Sequence, residues 1–522
     1  MPETRGQKGS RDAVLIRGVN WIGDAVMTIP ALRTLRRSLL ESQLSLLVKP
    51  WVSPLFEKDP AVDEIILYAK GFDGIAGRVK LAEQLRKHHF HMAILLQNAF
   101  DAALLAFLSG VPKRIGYSRD GRRMLLTDPI AFDAYAKGLH HIDYYLNLVK
   151  KAGFHPESEM PWIFLNLEER LHARDILAAL QRPIVAINPG ATYGSSKRWH
   201  PERFAEVAEQ IIDELGGSVL LLGGPKETSI AKEILQSIDV SLVTPHSLLD
   251  RVGKTSLREL IAIIAEADLM VTNDSGPMHI GYAVGNPLVA IFGSTSPEHT
   301  GPVGRSDIVI RKKIPCSPCF ERECRKKDLE CMDLVTSQEV FDAVKKLVST
   351  KRAVFFDRDG TLCRDAHYLS RIEDLVIFPS VSSLERLRDS GYSLIGISNQ
   401  SGIARGLVEE EFVKYVNGLF VDRHGFEDFY YCPHHPDHHC SCRKPEPGML
   451  IKARNDHHID LRRSYIVGDK ADDMALAKAV GARGILVRTG KDLASPHADA
   501  IADGLDDAVD IILTLDEKEG NA

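Results

Sequence analysis

Short apolar runs alternate with longer segments whose apolar residues recur at helical spacing, and the alternation continues along most of the chain. Residues 13–18, 44–48, 65–68 and 92–96 read as strands. Residues 27–39 and 102–108 read as helices, with Pro30 near the start of the first. The rhythm returns after Arg182, with strands at 183–187, 218–222, 269–272 and 288–292 and helices at 201–215, 257–265 and 332–349. It starts a third time with the apolar run 353–356. Strands alternating with helices predict parallel sheets covered on both faces. The predicted class is α/β, with Rossmann-like domains at 11–165, 182–348 and 351–515 and a very short linker at 350–352. Periodicity alone leaves one large doubly wound sheet open as an alternative for the first two domains.

Composition narrows the class further. At 522 residues the chain has room for about three or four domains. With 44% hydrophobic and 26% charged residues it is ordinary globular material, and a net charge of −6 gives no reason to expect nucleic acid. No apolar run approaches the roughly 18 residues of a membrane span. Residues 1–12 are polar and lack the apolar core of a signal peptide, so the expected location is the cytoplasm. Eight clustered cysteines in that compartment favour metal over disulfides.

The run 353–356 ends in Asp357-Arg358-Asp359-Gly360-Thr361. In extended backbone, residues i and i+2 point to one side, so both carboxylates can face one pocket at the carboxyl end of a parallel strand. One can attack phosphorus and the other can protonate a leaving oxygen. The bland alternative is an acidic turn. In the second domain, Asp274-Ser275-Gly276 stands between a strand and a helix, where free backbone N–H groups can hold a pyrophosphate, and His279 follows one turn later. Gly190 leaves room for phosphate oxygens to approach the backbone. The bland alternatives are a helix cap for Asp24, a satisfied core histidine for His279, a surface pair for Lys197 and Arg198, and an exposed loop acid for Glu227. Lys113, Arg114, Arg119, Arg122 and Arg123 form a basic cluster suited either to an anionic acceptor or to a solvated face.

Cys432-x-His434 and Cys440-x-Cys442 offer three thiolates and an imidazole, a closed tetrahedral zinc set, with His435, His438 and His439 as competing imidazoles. With all four positions filled, that zinc is structural. Cys316, Cys319, Cys324 and Cys331 have a spacing that would permit zinc or an iron–sulfur cluster.

Asp357–Thr361 resembles motif one of the haloacid dehalogenase phosphohydrolases. Ser398 at the end of an apolar run, Lys444 before Pro445, and Gly468-Asp469-Lys470 resemble the other three motifs. Residues 398–406, 430–435, 440–445 and 467–470 together resemble the D-glycero-D-manno-heptose 1,7-bisphosphate 7-phosphatases, with histidinol-phosphate phosphatases as near relatives. That resemblance covers roughly residues 351–515. It implies Asp357 as nucleophile and Asp359 as general acid. It also implies Mg²⁺ held by Asp357, Asp469 and the Asp359 carbonyl, and His434 as the zinc imidazole. The implied substrate contacts are Asp365, Tyr368, Ser398, Asn399, Gln400, Ser401, Arg443, Lys444 and Lys470. The loop between the zinc pairs is shorter than is common in that family.

Residues 20–24, 188–191, 197–199 and 272–279 stand in the order found in ADP-heptose:lipopolysaccharide heptosyltransferases, over roughly residues 11–348. This resemblance implies a two-domain GT-B architecture with Asp24 as the acceptor base. It implies a donor site at Gly190, Lys197, Glu227, Asp274, Ser275, Gly276 and His279, with Lys197 neutralising the departing ADP. The two resemblances imply a bifunctional enzyme. Its ligands would be ADP-heptose, heptose 1,7-bisphosphate and a lipopolysaccharide inner-core acceptor met at the inner face of the cytoplasmic membrane. The rival readings are a non-catalytic sugar-nucleotide sensor in the first part and histidinol-phosphate hydrolysis in the second.

Overall fold

Three runs of strands each close a six-stranded, wholly parallel sheet, and all three have the same strand order. The computed structural model describes residues 12–156, 160–304, 307–348 and 350–520, with the side chains of 517–520 left aside. The first sheet is built from β1 (Ala13–Arg17), β2 (Gln43–Val48), β3 (Glu64–Leu67), β4 (Met92–Leu95), β5 (Lys113–Tyr117) and β6 (Asp128–Ile130). The second holds β7 (Ile184–Asn188), β8 (Ser218–Leu221), β9 (Leu248–Asp250), β10 (Leu269–Asn273), β11 (Leu288–Phe292) and β12 (Ile308–Arg311). The third holds β13 (Arg352–Phe356), β14 (Tyr392–Asn399), β15 (Asp428–Cys432), β16 (Tyr465–Gly468), β17 (Arg483–Val487) and β18 (Ala500–Ala502).

The spatial orders are β3-β2-β1-β4-β5-β6, β9-β8-β7-β10-β11-β12 and β15-β14-β13-β16-β17-β18. Each sheet therefore reverses its winding between its first and fourth strands, which pair in register as Leu15↔Ala93, Val271↔Ile187 and Phe355↔Ile466. A crevice opens at the carboxyl ends of the strands at such a switch point, and ligands bind there.

The chain divides into two compact units, one carrying the first two sheets and the other, made mainly of the residues from Lys345 on together with the short segment Asn166–Leu171, carrying the third. In the first unit one apolar cluster runs from Val14 through Phe292 and joins the two separate sheets, a second lies around Leu15, Leu81 and Leu95, and the single-sheet alternative is excluded. Where the sheets meet, helix Ile22–Met27 packs on helix Gly276–Ala283. A Cβ on Gly276 would lie 3.3 Å from Ile22, and one on Gly23 would lie 3.0 Å from His279 Nε2. A six-residue helix has little stability of its own, so buried Ala25, Val26 and Met27 hold it in place. Helix Pro201–Leu215 shows the usual local signals, Pro at its first turn and left-handed Gly216 (φ 59°) at its end. The third sheet has its own core around Val354, Phe356, Phe420 and Val467.

The long inner strands follow the sequence expectation, while several features differ. The stretch expected as a loop through Asp24 is already helical from Ile22. The expected helix 332–349 is two helices, Glu330–Asp333 and Ser337–Val348. Arg352, expected in the linker, is the first residue of β13, and Lys351 bridges to Ile459. In the basic cluster, Arg122 is buried and donates to the Tyr117 carbonyl at 2.9 Å, while Arg114 donates to the carbonyls of Val111 (2.5 Å) and Leu125 (2.7 Å). These two arginines close turns and are not part of a free anionic-acceptor face.

Candidate active sites

At the switch point of the third sheet, Asp357 follows β13 and Asp469 follows β16, so their carboxylates leave adjacent strand ends. Gly360 turns the chain with φ 93°, and a side chain there would strike Asp469. Helix Ala471–Val480 begins at once, and its third residue, Asp473, accepts from the Lys470 N–H at 3.2 Å and turns back toward the strand ends. Asp357, Asp469 and Asp473 are all buried, with one oxygen of each within 4.8 Å of the others.

Two ammonium groups partly balance these acids. Lys444 Nζ lies 2.7 Å from both Asp357 Oδ1 and Asp473 Oδ1. Lys470 Nζ lies 3.2 Å from Asp357 Oδ2 and 3.1 Å from Asp469 Oδ1, and donates to the Asp359 carbonyl at 3.4 Å. Lys470 thus occupies the convergence of the three groups expected to hold magnesium. Burial alone would raise Asp357, but Lys444 and Lys470 overcome it and hold this carboxyl well below its usual range. Asp469 is pushed up to about 7, first by burial and then by the charge of Asp357. Burial also raises Asp473, against the pull of Lys444.

Asp359 faces a different set of partners. Its carboxylate accepts from Arg358 at 3.1 and 3.0 Å and from Gln400 at 2.8 Å, and Gln400 also donates to Ser398 Oγ at 2.7 Å. Asn399 holds the Lys444 backbone from both sides, accepting its N–H at 3.0 Å and donating to its carbonyl at 3.2 Å. Arg443 Nη1 is buried with no hydrogen-bond partner. Asp365 pairs with Lys491 at 3.3 Å. Tyr368, at φ 92°, lies against Gly402 beside Ser401. Asp473 and Arg358 were missed in the sequence reading. The signal for Asp473 was its place one helical turn after Asp469, where it doubles as a cap.

Cys432, His434, Cys440 and Cys442 come together as the spacing predicts. Cys440 Sγ lies 3.4 Å from both Cys432 Sγ and Cys442 Sγ, and His434 Nδ1 lies 3.2 Å from Cys442 Sγ and 3.6 Å from Cys432 Sγ. Tetrahedral ligands with zinc–sulfur bonds of about 2.3 Å stand about 3.8 Å apart, so this set can close on a metal ion with little movement.

In the first unit, the expected donor residues gather at the switch point of the second sheet. Gly190, just past β7, lies directly against the Glu227 carboxylate, which any side chain at 190 would displace. Glu227 accepts from the Gly224 N–H at 2.6 Å, and burial raises its pKa. Asp274, just past β10, is buried and accepts from Lys197 Nζ and Thr295 Oγ1, both at 2.5 Å. Ser275 stands just before helix Gly276–Ala283 without a side-chain cap hydrogen bond, and its Oγ accepts from Asn188 at 3.2 Å. His279 is buried and shares a 2.9 Å hydrogen bond with the Tyr282 hydroxyl. Burial lowers its pKa to about 4 against the opposing pull of Asp274 and Asp24, so it is neutral at pH 7 and offers a hydrogen bond, not a charge.

Asp24 comes from the other sheet's domain, in the first turn of helix Ile22–Met27, whose N-cap position is taken by Trp21 and not by Asp24. His141, unmarked in the sequence reading because its partner is 117 residues away, places Nδ1 3.4 Å from Asp24 Oδ1. Next to it, His140 bridges to the Gly301 carbonyl of the second sheet's domain at 3.0 Å.

Both regions of the chain resemble known proteins. Residues 78–330 match glycosyltransferase family 9 (heptosyltransferase), and residues 441–508 match the HAD-hydrolase-like family. Lipopolysaccharide heptosyltransferase 2 of Escherichia coli K12 is 32% identical over 308 residues, covering 57% of this chain and 87% of that protein. The solved structure of the E. coli ADP-heptose lipopolysaccharide heptosyltransferase II superposes with a TM-score of 0.56 at 28% identity, over 64% of this chain and 98% of that one. The D-glycero-beta-D-manno-heptose-1,7-bisphosphate 7-phosphatase of E. coli K12 is 42% identical over 166 residues, covering 29% of this chain and 86% of that protein. The chain therefore belongs to the glycosyltransferase family 9 heptosyltransferases through its first unit and to the heptose-bisphosphate phosphatases of the HAD-like hydrolases through its second.

Proposed function

We propose that this bifunctional enzyme transfers heptose from ADP-L-glycero-β-D-manno-heptose to the lipopolysaccharide inner core, and separately removes the 7-phosphate of D-glycero-D-manno-heptose 1,7-bisphosphate. The observation that carries the reading is the same in both units. Residues expected to act on or hold the ligand stand together at a switch point: the nucleophile Asp357 with Lys444 in one, the donor-binding Asp274 with Lys197 in the other. Among the described residues no helix is long and apolar enough to cross a membrane. We place both reactions in the cytoplasm, with the lipid-borne acceptor met at the inner membrane face.

In the phosphatase, Asp357 is held ionised by Lys444 and Lys470 and so is ready to attack phosphorus. The P–O7 bond breaks as the Asp357–phosphorus bond forms, and Asp359 gives its proton to the departing sugar oxygen. Asp359 must leave Arg358 and Gln400 to do so. Water then attacks the aspartyl-phosphate, Asp359 takes back a proton, and phosphate departs. Ser398, Lys444 and the unpartnered Arg443 Nη1 are placed for the phosphoryl oxygens. The three buried carboxylates fit a hard divalent cation. Asp357, Asp469 and the Asp359 carbonyl would hold Mg²⁺, with Asp473 beside them, and the ion would supply charge neutralisation at the phosphate. Zn²⁺ at the Cys432 set would be structural, fixing the segment that carries Arg443 and Lys444.

In the transferase, Asp24 removes the proton of the acceptor hydroxyl while Lys197 and the N-terminus of helix Gly276–Ala283 balance the charge of departing ADP. Gly190 and Glu227 line the donor site beside them. Product analysis on the full chain tests the reading, with ADP-heptose plus core acceptor in one reaction and heptose 1,7-bisphosphate against histidinol phosphate in another. Absence of heptosyl transfer, or a higher kcat/KM on histidinol phosphate, overturns the corresponding half.

A further inference from the structure

Arg358 stands between Asp357 and Asp359, and its side chain is only 1% exposed. Burying a guanidinium is costly unless it is paired and hydrogen-bonded. Its one carboxylate partner among the described residues is Asp359, which it grips as a fork: Nε lies 3.1 Å from Oδ1 and Nη2 3.0 Å from Oδ2. The third edge of the guanidinium is taken by a distant element. Nη1 donates to Asn417 Oδ1 at 3.0 Å, from the middle of helix Glu410–His424. The buried residues of that helix are Val413, Val416, Asn417 and Phe420, and Val416 and Phe420 belong to the core of the third sheet. An amide on this apolar face, with its own Nδ2 unpartnered, costs stability, and it serves as the anchor of Arg358.

Two more side chains meet the same carboxylate. Gln400 Nε2 donates to Oδ2 at 2.8 Å, and Cys363 Sγ lies 3.8 Å from Oδ1. Gln400 follows β14 directly and opens the loop that leads to helix Glu410–His424, so Gln400 and Asn417 brace the group from one stretch of chain. Both oxygens of Asp359 are thus held by donors, and the group has to turn away before it can serve a leaving oxygen. When it turns, Arg358 is left buried without its paired carboxylate, an unfavourable state that draws Asp359 back.

We propose that Arg358, anchored by Asn417, is a positioning residue for Asp359: it docks the carboxylate between proton transfers and draws it back after each one. The carboxyl leaves the dock with its proton, gives it to O7 as the P–O7 bond breaks, and returns to Arg358 as a carboxylate. A proton from the attacking water later restores the acid. Arg358 acts on the reaction through Asp359 alone. The inference rests on the phosphatase reading above, in which Asp359 carries the proton.

Leaving-group dependence tests it. A sugar hydroxyl needs a proton as it departs, whereas p-nitrophenolate departs without one. The full chain with Mg²⁺ is compared on heptose 1,7-bisphosphate and on p-nitrophenyl phosphate, with first-turnover release read by rapid mixing. Arg358→Met should lower sugar release by about 10²-fold, within the usual worth of a positioned proton donor, and aryl release by much less. Arg358→Lys keeps the charge but not the fork and should recover part of the loss. Adding Arg358→Met to Asp359→Asn should cost nothing further on the sugar phosphate, because residues that act as one unit are not additive. Equal losses on both substrates, a further loss in the double variant, or unchanged sugar release overturns the dock. Should Arg358→Met fail to fold, Asn417→Ala carries the test, since it frees only the far end of Arg358. The same selectivity on a smaller scale supports the dock, and equal losses on both substrates, or none, overturn it. Near-normal sugar release by Asp359→Asn would instead overturn the phosphatase reading beneath it.

Discussion

Lys444 Nζ stands 2.7 Å from Asp357 Oδ1, and each side chain is only 3% exposed. The same ammonium touches Asp473, so removing it leaves two buried carboxylates facing one another. Breaking a buried pair from one side costs about 3–5 kcal/mol. Lys444→Met should lower the unfolding transition of the phosphatase unit by an amount of that order and abolish phosphate release. An unchanged Tm would show that the pair does not hold the site together.

Asp357→Asn keeps the shape of the side chain but removes the nucleophile. Phosphate release should vanish while heptosyl transfer continues. Asp359→Asn should lose about 10²–10⁴-fold in kcat, the usual worth of a proton donor. Near-normal turnover by Asp357→Asn would end the nucleophile assignment.

The strand ends were the legible part of this sequence. Inner strands such as β1, β10 and β13 are continuous apolar runs, because both faces of a parallel sheet are covered, and glycine and acids follow directly where the crevice opens. Edge strands such as β6, β9 and β18 are three residues long and carry too little pattern to be seen. Site residues next to a strand end, Asp357, Asp469 and Asp274, could be placed from order alone. Asp473 and His141 could not, since one sits a helical turn into the next element and the other meets Asp24 only after the domain has folded.

The proposed roles put Asp24 on the acceptor side and the Lys197–Asp274 pair on the donor side, so their variants should separate. Asp24→Ala should abolish transfer and leave ADP-heptose binding intact by calorimetry. Lys197→Ala should weaken donor binding itself. His141→Ala, which removes the neighbour of Asp24, should lower kcat with little change in donor KM. Loss of donor binding in Asp24→Ala would mean that the two walls are misassigned.

The Cys432 set should hold zinc firmly because its ligand atoms are already spaced for it. Cys440→Ser should remove about one zinc per chain, as expected for one four-ligand site, and phosphatase activity with it. Heptosyl transfer should persist. A variant that loses zinc and keeps full phosphatase turnover would show that this metal does not support the Lys444 segment.

His279 ties acid stability to the first unit. Burial lowers its folded pKa to about 4, so between the ordinary value of 6.5 and about 4 the unfolded chain binds a proton that the folded one refuses. Stability from this group is complete above the unfolded pKa and is lost as pH falls through that window. A shift of this size corresponds to about 3 kcal/mol. Urea unfolding of the transition that responds to added ADP should show less stability at pH 5 than at pH 7. His279→Gln should flatten that slope, and an unaltered slope in the variant would assign the effect to other groups.

The two reactions are not consecutive. Removing the 7-phosphate gives a heptose 1-phosphate, and a nucleotide must still be attached at position 1 before any transfer. A product of the second unit therefore cannot serve directly as the donor of the first, and channelling between the sites has no chemical basis. Each unit also closes its own switch point, with its own buried acids and lysines, from its own strands. Ligand on one site should therefore leave the other unchanged. Saturating heptose 1,7-bisphosphate should not alter kcat or KM for heptosyl transfer, and saturating ADP-heptose should not alter those of phosphate release. Coupling is reciprocal for binding free energies, so a real link would change affinity in both directions by the same factor. Calorimetry of each ligand with the other present checks this directly. A matched shift in both titrations would replace two independent enzymes on one chain with a regulated pair.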